Sequence, residues 1–128
     1  MKKSIVLAAA LLSTSCFADP SIIMNAKTDN SYGLEGRYVW SYSQHDIQII
    51  NDTDEDKNYS YGYSICVTNH GCEKKDNIIT VKPHTRFNNH CDLTHTAGYK
   101  YAGPYEITAT TRVSDKEVTS KALVIIKE

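Results

Sequence analysis

From residue 21 onward the chain alternates between apolar and polar side chains at a period of two, the pattern of strands with one face against a core. The clearest run places Tyr59, Tyr61, Tyr63, Ile65 and Val67 on one face and Ser60, Gly62, Ser64, Cys66 and Thr68 on the other. Arg37 to Asn51 repeats the pattern: Tyr38, Trp40 and Tyr42 share one face, Ile47 and Ile49 share one further along, and a bulge or bend is predicted near Ser43-Gln44-His45. Tyr105 to Val113 alternates again, and Ser114-Asp115-Lys116-Glu117 turns it into Val118 to Ile126, a terminal hairpin. Ser21 to Ala26 and Ile78 to Val81 read as shorter strands.

Between these runs lie turn residues and charge. Asp29 to Gly33 reads as a loop, the acidic run Asn51 to Asn58 as a hairpin tip and Asn69-His70-Gly71 as a turn. Glu73 to Asn77 reads as an exposed corner, and His84 to His95 as the least regular stretch. No window carries apolar residues at helical spacing over three turns, so the expected class is all-β, with about seven antiparallel strands in two packed sheets. The segment Ala97 to Ala109, with Gly103, Tyr105 and Ile107 in a Gly-x-Tyr-x-Ile pattern, resembles the approach to a late strand in bacterial immunoglobulin-like domains. The resemblance implies a single immunoglobulin-like β-sandwich and carries no function with it.

The first residues follow a different order: Lys2 and Lys3, then apolar Ile5 to Leu12, then small residues to Ala18. This is the order of a cleavable secretory signal over residues 1–18, too short for a membrane anchor, with the β-sandwich domain expected over 19–128. The alternative is lipidation of Cys16, because Leu11 to Cys16 loosely resembles a bacterial lipoprotein signal; Ser13 departs from it where a leucine is usual. The expected location is therefore the periplasm or the medium, or the outer membrane for a lipoprotein. Cleavage leaves 110 residues with twelve Lys and Arg against fifteen Asp and Glu, without the basic stripe that a nucleic-acid partner needs.

Three cysteines then remain, Cys66, Cys72 and Cys91, an odd number for an oxidising compartment. A bridge between Cys72 and Cys91, stapling two turn-rich segments and leaving Cys66 as a buried thiol, is the favoured expectation. Cys66 to Cys72 across the hairpin is the alternative. His70, Cys72, His90, Cys91 and His95 match no familiar zinc spacing, and ordinary surface histidines are expected. Asp52, Asp54 and Asp56 begin like a calcium loop, but Lys57 stands where such a loop needs glycine. No nucleophile elbow, paired carboxylates or cofactor fingerprint stands out, so the expectation is a protein without catalysis or cofactor.

Tyrosine is the unusual component, at nine residues against two phenylalanines and one tryptophan. Tyr59, Tyr61 and Tyr63 either bury their rings in the sandwich with hydroxyls at its edge or form an exposed interaction surface. Together these features suggest an exported envelope protein that binds another protein, as an accessory of an outer-membrane-associated assembly such as a secretion system or pilus. The alternative is an inhibitor presenting the Cys72 to Cys91 segment to a hydrolase.

Overall fold

A computed structural model describes residues 21–128, so residues 1–18, expected as a signal, and Cys16 lie outside the described residues. Seven strands follow one another: β1 (Ile22–Glu35), β2 (Tyr38–Asn51), β3 (Lys57–Val67), β4 (Gly71–Val81), β5 (Thr85–Gly98), β6 (Gly103–Val113) and β7 (Lys116–Ile126). They form two sheets of antiparallel pairs, one in the order β1-β2-β5 and the other β4-β3-β6-β7. This is an all-β sandwich with the coarse arrangement of an immunoglobulin-like domain. Among the described residues no helix is long and apolar enough to cross a membrane.

Period-two alternation decides what fills the space between the sheets. From β2 come Val39, Ile47 and Ile49, from β3 Ile65 and Val67, from β6 Ile107 and Val113, and from β7 Val124 and Ile126, all buried. Each such side chain contributes about 1.5–3 kcal/mol by leaving water. A polar bolt crosses this apolar layer. His45 of β2 sets Nδ1 2.8 Å from Thr111 Oγ1 of β6 and Nε2 2.8 Å from Ser120 Oγ of β7, with Ser43 Oγ at 3.2 Å. The ring is fully buried, unlike those of His70 and His90, which are exposed. Position 45 shares the parity of Val39, Ile47 and Ile49, which turns it inward; its neighbour Asp46 points outward to His90.

Several segments are more regular than their composition suggests. Glu73 to Asn77, expected as a corner, runs through the middle of β4, and His84 to His95 lies mostly within β5. Each is held by a register to an apolar neighbour, Tyr59↔Ile79 to Cys66↔Cys72 for β4 and Ile49↔Phe87 to Val39↔Ala97 for β5. β2 is unbroken at Ser43 to His45, and the irregularity falls on its partner, where the β1 register shifts between Ala26 and Ser31. Asp29 to Gly33 is accordingly strand rather than loop.

The two long sides of the sandwich differ. On one, β1 and β7 run alongside each other in the same direction, joined by side chains: Ser120 Oγ donates to Thr28 O at 3.3 Å, and Asn30 Nδ2 donates to Ser120 O at 3.0 Å and Ile107 O at 3.2 Å. On the other side four strands face three. β4 projects beyond β5, and its residues Gly71 to Ile78 are exposed on both faces.

Candidate binding groove

The open side forms a groove whose floor is β3, whose ledge is β4 and whose wall is the free edge of β5. Tyr59, Tyr61 and Tyr63 share a face with Ile65 and Val67, and that face packs against the core. Because sheet β1-β2-β5 ends above them, the three rings stay half-buried. Glu73 and Lys75 extend the floor onto β4, where Lys75 pairs with Tyr63. Across the groove, Tyr61 Oη lies 2.7 Å from Cys91 Sγ and accepts from Asn89 Nδ2 at 3.4 Å. Burial holds both the Cys91 thiol and the Tyr61 phenol above their ordinary pKa, so both stay protonated at neutral pH.

Towards the turn between β3 and β4 the groove widens into a cleft of about 700 Å³. Ile65 and Val67 form its apolar base, Glu73 stands on one rim, and His95, Ala97 and Tyr99 stand opposite. Aromatic rings close the end: Tyr99 and Tyr105 stack with centroids 4.4 Å apart, and His70 lies 5.2 Å and 5.0 Å from them. The hydroxyls are tied down, Tyr105 Oη donating to Tyr101 O at 2.6 Å and Tyr99 Oη lying 2.9 Å from His95 Nε2. Burial, and then the Tyr105 phenol beside it, raise the Tyr99 pKa. An apolar base with a few fixed polar groups, at this volume, is the usual make-up of a binding cleft.

The disulfide braces the hairpin beside this cleft. Cys66 is bonded to Cys72, with Cα atoms 4.0 Å apart, and Cys91 is the free, buried thiol. The favoured Cys72 to Cys91 bridge is therefore wrong, and the hairpin alternative is the one formed. Register explains it. Asn69 at φ 64° and Gly71 at φ 89° take the left-handed conformations of a tight turn, which sets Cys66 opposite Cys72 on the outer face. Cys91 faces the interior from the other sheet, so the Cys72 side chain points away from it. The segment between Cys72 and Cys91 is strand, turn and strand, and the stapled loop that motivated an inhibitor is not formed.

Other side chains singled out by the sequence have separate partners. His90 Nδ1 lies 2.5 Å from Asp46 Oδ1 and His84 Nε2 2.6 Å from Asp54 Oδ1. Among the described residues no cluster of three or more His, Cys, Asp or Glu is placed to hold a metal ion. Asn51 organises the acidic tip by donating to Glu55 O at 2.8 Å and Val81 O at 2.9 Å. Tyr38 and Trp40 lie outside the groove, on the outer face of β2, about half exposed, with the Trp40 indole lying over Gly33.

Sequence reasoning placed Tyr59, Tyr61 and Tyr63 on one face with Ile65 and Val67 and missed the wall that faces them. The available signal was the shared parity of Phe87, Cys91, Leu93 and Ala97, hidden by Asn89 and His95 at the same parity. No protein-family model matches this chain, and no curated protein matches it.

Proposed function

We propose that this protein is a non-enzymatic interaction module exported to the bacterial envelope, an accessory of an outer-membrane-associated assembly that holds a protein partner in the groove between β4 and β5. The observation that supports the reading is the open side itself. A sandwich closed along β1 and β7 leaves three half-buried tyrosines, a disulfide-braced hairpin and a 700 Å³ cleft along β4 and β5. Tyrosine suits such a surface because it offers a large apolar contact area with a polar end and loses little rotamer entropy on binding. Bracing the Cys66–Cys72 hairpin holds the ledge against the floor before the partner arrives, which lowers the ordering cost of binding.

Site-specific photo-crosslinking in the native compartment tests the proposal. A photoreactive side chain at Asn77, on the exposed ledge, is expected to give a discrete protein adduct, and one at Thr119, on the outer face of β7, is not. No adduct at Asn77, or the same adducts from both positions, would refute it.

A further inference from the structure

We infer that the groove takes one extended polypeptide segment, which adds to β5 as the missing fourth strand of sheet β1-β2-β5 and lies over β4; this rests on the reading of the groove as a binding site. Hydrogen-bond direction shows that the β5 edge is ready for a strand. Tyr99 N donates to Arg37 O, while Gln44 N and Tyr42 O turn toward β1, meeting Thr28 Oγ1 and Ser31 Oγ. The alternation that follows points the N–H and C=O groups of Asp92, Thr94 and Thr96 away from β2, toward the groove. Three strands above four leave room for one strand at the usual spacing of about 4.8 Å.

The same ledge decides what enters. Pairing of two copies through β5 would bring their β3 strands to neighbouring-strand distance with both β4 strands between them, which the projecting β4 prevents. A lone extended segment meets no such obstacle. Its side chains facing the floor meet four positions in order: Val67 beside Gly71, then Glu73 beside Ile65, then Lys75 beside Tyr63, then Tyr61 beside Asn77. A segment antiparallel to β5 therefore matches the order apolar, basic, acidic, apolar at alternate positions, and the opposite charges of Glu73 and Lys75 fix its direction.

The test is selection from a displayed library of nine-residue segments, threonine at every second position and the others randomised, against the disulfide-bonded protein. The expected result is enrichment of the apolar-basic-acidic-apolar order, with slowed amide exchange at Asp92, Thr94 and Thr96 when the selected peptide is bound. Thr94→Pro removes one edge N–H without touching the β2 pairing and is expected to weaken that peptide at least tenfold; Thr96→Pro serves if the first variant does not fold. No binder at 100 µM peptide overturns the inference. So do binders that protect Tyr38 and Trp40 instead, or that keep their affinity in the proline variants, and these two outcomes leave the interaction-module reading standing. Loss of the Asn77 crosslink in cells would remove both.

Discussion

Mild acid is expected to weaken this fold through a single side chain, His45. Its ring is sealed between the sheets, held by Thr111, Ser120 and Ser43, and among the described residues no carboxylate touches it. Neutral imidazole donates at one nitrogen and accepts at the other, which three hydroxyls can satisfy; a protonated ring would bring an unpaired charge into the core. Burial accordingly lowers the His45 pKa below its ordinary value of 6.5. The unfolded chain then takes up a proton near pH 6.5 that the folded chain refuses. Stability is full above that pH and is lost as pH falls toward the folded value. One proton gives a slope of at most about 1.4 kcal/mol per pH unit, so the loss between pH 7.5 and 5.0 reaches about 2 kcal/mol if the buried ring stays neutral throughout. For a domain of this size that is ~8 °C in melting temperature. Urea unfolding at pH 7.5, 6.5, 5.5 and 5.0, for the native chain and for His45→Gln, isolates the effect because the exposed histidines are common to both. The variant should begin less stable and lose less across the window. Equal slopes in the two proteins, or a ring resonance of His45 titrating at or above pH 6.5, would refute the reasoning.

Other expectations are as direct. Reducing the Cys66–Cys72 bridge, which closes a separation of six residues, should cost about 2 kcal/mol on the chain-entropy account; calorimetry of oxidised and reduced protein checks this, and a peptide map joining Cys72 to Cys91 would contradict it. Cys91, buried beneath Tyr61, should react with an aromatic disulfide reagent only as fast as the protein opens, so a burst of one thiol from folded protein would count against the groove floor described above. Gly62→Ala would set a methyl 2.6 Å from Lys75 O and 2.5 Å from Asp76 Oδ1, pushing β4 outward at a cost of about 1–3 kcal/mol in urea unfolding. Gly33→Ala should lift the indole of Trp40, the single tryptophan, off the sheet and change its emission spectrum without a large change in stability.

Strands with one dry face were legible in the sequence, since Tyr59 to Val67 and Tyr105 to Val113 carry the alternation that burial enforces. β4 was not, because both faces of its first eight residues meet solvent and nothing selects apolar side chains there. β5 was obscured for a related reason: with no strand beyond it, Asn89 and His95 occupy inward positions that a fourth strand would have dried. The segments that composition made hardest to assign are thus the two that frame the groove. Cysteine pairing failed on parity, which separates Cys72 from Cys91 only once β4 and β5 are recognised as strands in opposite sheets. His45 was recoverable from its place between Val39 and Ile47, though its bonds to Thr111 and Ser120 depend on strands more than sixty residues away.

The seam between β1 and β7 also bears on how the chain reaches this state. The first and last strands close against each other, so the contacts that finish the sandwich span almost the whole described chain, and loop-closure entropy opposes them until the end. Folding is then expected in milliseconds to seconds rather than microseconds. A ribosome that still held β7 would keep Thr28 and Asn30 without their partner at Ser120 and leave the edge of β1 uncovered. For the same reason, removing the last few residues of β7 should loosen the first strand as well as the last, and proteolysis of such a truncation should begin at β1.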